Sequence, residues 1–150
     1  MSEKSREQIA REAFKEGYNC AQCMAIAFAD VLGMDETTAK RLTSSFGGGM
    51  GRMREVCGAV SGMFMVAGVL WGYDDPNDSA GKKETYAMIQ ELAKKYKEEE
   101  GSIICRELLG LDGKDTSPVP SERTKEYYAK RPCEEKIATA ARMLEERMMR

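Results

Sequence analysis

The stretch MREVCGAVSGMFMVAGVL, residues 53–70, decides the fold of this chain. It is apolar on nearly every side, so it predicts a helix buried at the centre of the molecule. Gly58 and Gly62 are four residues apart and leave a side-chain-free groove on one helix face, where another backbone can approach closely. Cys57 borders that groove. Tight packing alone explains the glycines but not a thiol at the groove's edge, and we therefore interpret the motif as packing combined with function.

Apolar residues recur with helical spacing on both sides of this stretch, and little of the chain alternates with period two. Asn19 followed by Gln22 predicts a capping box, and Asp35 predicts a second helix start. Gly33 and Gly101 are expected to end helices. The predicted helices cover about residues 5–15, 19–33, 36–44, 53–70, 82–99, 102–109 (capped by Ser102) and 133–148 (opened by Pro132).

These segments predict an all-α fold. A length of 150 residues fits one domain with a core of its own, and no linker divides the chain. Residues 72–81 and 112–123 are rich in turn-forming residues and read as surface connections. We expect residues 1–150 to form a single-domain helical bundle of about six to seven helices around the small-residue-rich apolar helix.

Charge and hydropathy exclude several classes of function. The 23 basic and 25 acidic residues leave a net charge of −2, which gives no electrostatic footprint for nucleic acid or for an anionic membrane. No apolar run is long enough to span a bilayer, and the first residues do not read as a secretory signal. We therefore expect a cytoplasmic protein whose thiols stay reduced unless they serve in redox chemistry.

The most informative feature of the composition is five cysteines without a single histidine. The missing histidine removes the usual general base and the commonest nitrogen ligand for metals. Four cysteines lie where the local sequence starts a helix, and a thiol there feels the positive end of the helix dipole, which favours the reactive thiolate. We therefore predict thiol chemistry at Cys20, Cys57, Cys105 and Cys133.

Cys23 follows Cys20 in a CxxC motif at the start of a predicted helix. Two such cysteines can form a disulfide or share a metal, but the strand that precedes this motif in thioredoxin-like proteins is missing here. A small buried hydrophobic side chain is an equally good interpretation of Cys23. Its role stays open at the level of sequence.

The glycine cluster 47–51 lies directly before the central motif. It lacks the lysine and hydroxyl of a P-loop, so we favour a turn with positive φ, or close backbone approach to the site, over an anion-binding nest. Arg52, Arg54 and Arg131 lie near Cys57 and Cys133 in sequence. They are candidates for holding thiolates or an anionic ligand, although surface arginines are common.

The order of these motifs resembles a known family. Asn19–Cys20 comes first, then Phe46 with three glycines, then the Cys-Gly-Ala-x-x-Gly motif at 57–62, then Ser102-Ile-x-Cys105, and finally Cys133 before a last helix. This is similar to the redox-active proteins named for their C_GCAxxG_C_C cysteine pattern, over about residues 10–145. The resemblance implies a small helical protein that is redox-active or binds a metal cluster, and it implies Cys20, Cys57, Cys105 and Cys133 as the functional cysteines.

Three interpretations remain open from sequence. In the first, the chain is a thiol–disulfide redox protein, an enzyme or an electron carrier, with Cys57 as the reactive thiol beside the glycine groove. In the second, Cys20, Cys57, Cys105 and Cys133 are thiolate ligands of an iron–sulfur cluster or of zinc. In the third, the chain is a non-catalytic helical oligomerisation module whose thiols only pack.

Two further expectations concern space and assembly. We expect the sulfurs of Cys20, Cys57, Cys105 and Cys133 to converge around one site. The eleven methionines and a near-balanced charge favour a helix surface that self-associates, so we expect a homodimer. The partner of the thiols is expected to be a redox protein, a small molecule or a metal.

Overall fold

The computed structural model describes residues 4–110, 116–130 and 132–150. These ranges are all-α, as predicted: they contain helices and one isolated β-bridge, but no strand. The helices are α1 (Arg6–Lys15), α2 (Cys20–Ala27), α3 (Ala29–Leu32), α4 (Glu36–Thr43), α5 (Gly58–Trp71), α6 (Ser79–Glu100), α7 (Cys105–Leu108), α8 (Lys125–Lys130) and α9 (Cys133–Met148). A single 3-10 turn, Ser44–Phe46, follows α4.

Local capping sets most helix starts. The Asn19 side chain accepts from the Gln22 N–H while the Gln22 side chain accepts from the Asn19 N–H, which confirms the predicted capping box. Asp35 caps α4 as predicted. Asp78 caps α6, three residues earlier than expected for that helix. Gly33 adopts the left-handed conformation at the end of α3.

The apolar helix α5 lies at the centre of the core, and α2 packs closely along it. A Cβ atom on Gly62 would lie 2.7 Å from the Cβ of Met24 in α2, so the missing side chain is what lets the two backbones approach. This confirms the predicted groove. Because α2 and α5 start at the same end of the pair, their first residues, Cys20 and Gly58, are neighbours.

The remaining long helices cover this central pair. α9 packs against α1 and α5, and its predicted inward face is fully buried: Ile137, Ala140, Ala141 and Leu144. α6 contacts the core along one stripe only, formed by Met88, Leu92 and Tyr96. Its other faces carry charged residues, so α6 is amphipathic as predicted.

The helix predicted over 19–33 is broken at Phe28. The carbonyl of Ala27 accepts from Nη1 of Arg6 at 3.0 Å, and the Arg6 guanidinium also lies 4.8 Å from the centre of the Phe28 ring. Phe28 is completely buried with a non-helical φ of −119°. A long-range contact therefore interrupts a pattern that is helical by local criteria.

The central helix also begins later than predicted. Residues 54–56 do not belong to it, because Val56 forms a β-bridge with Ile104. The N–H of Cys57 donates to Ile103 at 2.8 Å, and the N–H of Cys105 donates to Glu55 at 2.6 Å.

Two more helix boundaries differ from prediction. Ser102 does not cap α7: Ile104 occupies that position, and Ser102 instead accepts from the Ile104 N–H. α8 adds a helix after the polar connection and the break at Phe28 divides a predicted helix in two, so the described ranges hold nine α-helices rather than six to seven. No helix in the described ranges is both long and apolar enough to cross a membrane.

Candidate thiol site

One cavity of about 440 Å³ is lined by all four cysteines predicted for the site, Cys20, Cys57, Cys105 and Cys133. Each lies at a helix start: Cys20, Cys105 and Cys133 are the first residues of their helices, and Cys57 is the N-cap of α5. The structure therefore brings together residues that are 113 positions apart at the extremes. All five cysteines of the chain are present as thiols.

Cys20 and Cys133 form a pair. Their thiols share a hydrogen bond, which together with burial raises the pKa of Cys20 well above its usual value. Both side chains are half-buried, whereas the other cysteines of the chain are buried. The first turns of α2 and α9 thus present two neighbouring thiols at the wall of the cavity.

Cys57 lies deeper, with 6% of its surface exposed. Burial raises its pKa to about 11, although the N–H groups of Val60 and Ala59 at the start of α5 act in the opposite direction. The prediction that a helix start makes Cys57 a thiolate is therefore wrong in net effect, because desolvation outweighs the helix terminus. The hydroxyl of Tyr96 hydrogen-bonds with the Cys57 thiol and donates to the Lys136 carbonyl at 3.0 Å.

Cys105 is brought beside this group by the β-bridge. Its backbone is fixed by the bond to Glu55, and its sulfur accepts from Nη1 of Arg54 at 3.7 Å. Gly49 makes room for it, since a Cβ atom there would lie 2.6 Å from the Cβ of Cys105. Cys105 and Cys133 both lie near enough for their charges to raise the pKa of Cys57 further.

The glycine loop explains how Arg54 reaches Cys105. Positive φ angles run without interruption from Gly48 to Arg52, and Arg54 has a φ of 61°. A left-handed run of this kind is strained for residues with a side chain, which fits the predicted turn with positive φ. The N–H of Arg54 donates to the Gly48 carbonyl at 3.2 Å, so the run ends by turning Arg54 back towards the site.

The other charged side chains that line the cavity, among the residues described, are basic: Arg52, Arg123 and Lys136. Arg52 donates to the carbonyl oxygens of Ser117 and Val119, and Arg123 donates to those of Phe14 and Tyr18. Lys136 pairs with the largely buried Glu100 at 2.6 Å.

The sequence argument missed Tyr96, Arg123 and Lys136 as site residues. Only the apolar stripe of α6 pointed towards the core, and that stripe does not distinguish a tyrosine beside a thiol from one that packs. Arg52 and Arg54, two of the three candidate arginines, line the cavity. Arg131, the third predicted arginine, lies outside the described residues.

Cys23 does not line the cavity. It is completely buried, burial raises its pKa to about 12, and its sulfur donates to the Tyr18 carbonyl at 3.7 Å. This environment fits the interpretation of Cys23 as a small buried hydrophobic residue. The CxxC motif therefore points its two thiols to different surroundings.

The metal interpretation requires at least three donor atoms directed at one point. In the described part of the chain, no group of three or more cysteine or carboxylate side chains is arranged to hold a metal ion. The cysteines pair off instead, with Cys20 against Cys133 and Cys105 against Arg54. As placed, these residues do not fit an iron–sulfur cluster or a zinc ion.

Comparison with known proteins adds one finding. Residues 18–147 match the model of the family described as "Putative redox-active protein (C_GCAxxG_C_C)". The chain belongs to this family. The match starts just before Cys20 and ends within α9, so it includes every cysteine that lines the cavity. Searches of curated proteins and of solved structures gave no match. The family is named for its cysteine pattern and is described as redox-active. In this chain the cysteines of that pattern meet at the cavity.

Proposed function

We propose that this chain is a thiol–disulfide redox protein whose working dithiol is Cys20 with Cys133. The observation that carries the proposal is that these two half-buried thiols, on the first residues of α2 and α9, line the same cavity. Thiols in hydrogen-bonding contact need little backbone movement to reach the geometry of a disulfide. Both side chains are half-buried, so the pair can be reached from the cavity.

The reaction is an exchange with the disulfide of a substrate. The two thiols of Cys20 and Cys133 lose two protons and two electrons and become one disulfide. The substrate disulfide takes up those two electrons and two protons and leaves as two thiols. No other oxidant or reductant is needed, and the direction depends on the relative reduction potentials of the two pairs.

The surroundings of the dithiol support this assignment. Burial and the shared hydrogen bond hold Cys20 in its neutral form, which protects the reduced pair from adventitious oxidation. Gly58 lies against Cys20 and leaves open the space that a side chain would fill. The first turns of two separate helices carry the pair, so a disulfide between them would tie α2 to α9.

Mass spectrometry after oxidation tests the proposal. The reduced protein is mixed with a small excess of an aromatic disulfide, blocked with an alkylating agent and digested. We expect one Cys20–Cys133 disulfide as the main product. Cys20→Ser and Cys133→Ser should each abolish it, whereas Cys23→Ser, which alters a buried thiol outside the cavity, should leave it unchanged.

A different main product would contradict this assignment. If Cys20 and Cys133 were both alkylated after complete consumption of the oxidant, they would not be the working dithiol. Retention of full disulfide-reducing capacity by Cys133→Ser would lead to the same conclusion.

We also propose that the protein works as a homodimer in a reducing cytoplasm. Cytoplasmic conditions keep a dithiol of this kind reduced between turnovers. Leu42 and Val69 are exposed and lie on a shallow apolar groove, which is the kind of surface that a second copy can cover. Light scattering should give a dimer mass at micromolar concentration, and Val69→Lys should reduce it to a monomer mass. A monomer mass for the unchanged protein would exclude the dimer.

A further inference from the structure

The contact between Arg54 and Cys105 is unlike the surroundings of the other thiols in the cavity. Arg54 is 5% exposed and Cys105 is 7% exposed, and Nη1 of Arg54 lies 3.7 Å from the Cys105 sulfur. Cys20 and Cys133 share a hydrogen bond with each other, and Cys57 shares one with the Tyr96 hydroxyl. Among the contacts of the described residues, the one between Arg54 and Cys105 gives a cavity thiol a guanidinium as hydrogen-bonding partner.

Several features of the fold hold this contact in place. The backbone of Arg54 has a left-handed conformation, which is strained for residues with a side chain. Its N–H is bonded to Gly48 and its carbonyl accepts from the N–H of Arg106 at 3.4 Å. Gly49 provides the space for Cys105. Strain of this kind persists only where the surrounding structure fixes it, and such sites are often functional.

Among the described residues, several charged and titratable groups lie near the Cys105 sulfur. Arg54 contacts it, and Cys57 is its neighbour at the start of α5. Arg52 lies on the same cavity. Glu55 pairs with Arg106 at 3.8 Å, and Glu107 accepts from the Ser102 hydroxyl at 2.6 Å. Both carboxylates therefore have partners of their own.

We propose that Cys105 is the entry nucleophile of the cavity and that Arg54 holds it as a thiolate. A buried guanidinium stabilises an adjacent thiolate both by its charge and by donating a hydrogen bond. This inference rests on the proposed thiol–disulfide function and assigns different steps of it to different thiols. Cys105 makes first contact with the substrate, and the Cys20–Cys133 pair receives the disulfide. Arg54 acts on the reaction through the sulfur that it contacts.

The first step is an exchange without net oxidation. The Cys105 thiolate attacks one sulfur of the substrate disulfide, and a bond forms between Cys105 and that sulfur as the substrate S–S bond breaks. The other substrate sulfur leaves with the electron pair and takes up a proton from water. A second cavity thiol then loses its proton and displaces the bound half of the substrate as a thiol.

Cys57 is suited to that second step, because Cys57 and Cys105 each adjoin a residue of the Val56–Ile104 bridge and line the same cavity. Attack by Cys57 on Cys105 leaves a Cys57–Cys105 disulfide, and exchange with the Cys20–Cys133 dithiol passes the disulfide on. That last exchange regenerates two thiols and forms one disulfide, so atoms and electrons balance. The four cysteines then act as two connected dithiols rather than as four equivalent thiols.

Alkylation of the fully reduced protein tests the inference without forming any disulfide. The rate of modification of each cysteine by iodoacetamide is measured by mass spectrometry between about pH 5 and pH 10. The rate of each cysteine rises with pH, and the midpoint of that rise is the quantity compared. In the unchanged protein we expect the midpoint of Cys105 to lie at a lower pH than those of Cys20 and Cys57. In Arg54→Gln it should rise by about one pH unit or more, so that modification at neutral pH slows about tenfold. Arg54→Lys, which keeps the charge, should restore part of the rate.

Arg142→Gln is the matched control, because it removes the same charge from a side chain that bonds Glu99 and Glu146 and does not line the cavity. It should leave the Cys105 midpoint nearly unchanged. An equal midpoint for Cys105 in the unchanged protein and in a folded Arg54→Gln would overturn the inference. If Arg54→Gln does not fold, a Cys105 midpoint at or above that of Cys57 in the unchanged protein overturns it alone. Failure of the Cys20–Cys133 disulfide to form would not affect this measurement.

Discussion

Gly58 lies so close to Cys20 that a Cβ atom on Gly58 would come within 3.0 Å of the Cβ of Cys20. The same hypothetical atom would lie 3.0 Å from the Phe46 carbonyl oxygen. A side chain at this position must therefore push the start of α2 away from α5. The glycine at 58 thus lets the start of α2, and Cys20 with it, lie directly against α5.

Replacing Gly58 by a large residue is expected to harm both stability and the thiol pair. Gly58→Leu should lower the free energy of unfolding by about 1–3 kcal/mol, since the groove is overfilled. Urea unfolding measures that loss, and disulfide mapping should show less Cys20–Cys133 product. Cys57→Ser is nearly isosteric and should leave the fold intact, so it separates structure from chemistry. Full retention of thiol reactivity in Cys57→Ser would show that Cys57 takes no part.

Two glycines of α5 are expected to respond in opposite directions to the same substitution. Gly62→Ala places a methyl group 2.7 Å from the Met24 Cβ and should destabilise by about 1–3 kcal/mol. Gly68→Ala meets nothing within 4 Å and should stabilise by about 0.5–1 kcal/mol, because alanine favours the helix interior. Thermal unfolding of both variants checks the pair. Equal changes in stability for the two variants would mean that the groove does not depend on the close approach of α2 to α5.

The buried thiols predict a loss of stability at alkaline pH. The pKa of Cys23 is raised to about 12 in the folded state from its ordinary value of 9.0, because the thiol is buried. Between these values the unfolded chain has lost the proton and the folded chain keeps it, so the stabilising contribution is present below pH 9 and falls as pH rises. The slope is about 1.4 kcal/mol per pH unit for one such group.

Cys23→Ala provides the comparison, because lysines and tyrosines also titrate at alkaline pH. Its unfolding free energy should fall less steeply than that of the unchanged protein as the pH rises from 9 towards 12. Urea denaturation at several pH values measures both slopes. Parallel curves would show that the Cys23 thiol titrates alike in the folded and unfolded states.

The basic residues at the cavity predict a preference for anionic disulfides. Arg52, Arg54, Arg123 and Lys136 supply the charged side chains of its described lining. At low ionic strength an aromatic disulfide with two carboxylates should react about tenfold faster, relative to its rate with a free thiol, than cationic cystamine. The ratio should shrink as salt is added, because screening weakens the attraction. A ratio that does not depend on salt would contradict this prediction.

Arg123 is expected to hold the segment around α8 against the C-terminal end of α1. It donates to the Phe14 carbonyl at 2.9 Å and to the Tyr18 carbonyl at 3.1 Å, and its guanidinium lies 4.5 Å from the centre of the Phe14 ring. Arg123→Lys cannot keep both bonds and the planar stacking. Hydrogen exchange over 121–128 should accelerate severalfold, while Arg142→Lys, whose partners lie on α6 and α9, should leave that exchange unchanged.

Much of the fold follows from local sequence patterns. The capping box at Asn19 and Gln22, the cap at Asp35 and the buried face of α9 were all predicted, because each depends on residues within one or two helical turns. The break at Phe28 was not predicted, because it depends on Arg6, which is 22 positions away. The pairing of Val56 with Ile104 escaped prediction for the same reason.

The sequence by itself determined that four cysteines start helices and that a glycine groove lies beside one of them. These features are encoded in short motifs whose physical preferences are local. Only the tertiary structure decided which thiol meets which group: Cys20 with Cys133, Cys57 with Tyr96, and Cys105 with Arg54. It also reversed the expected ionisation of Cys57, because the charge of a helix terminus is a local property whereas desolvation depends on everything that packs around the sulfur.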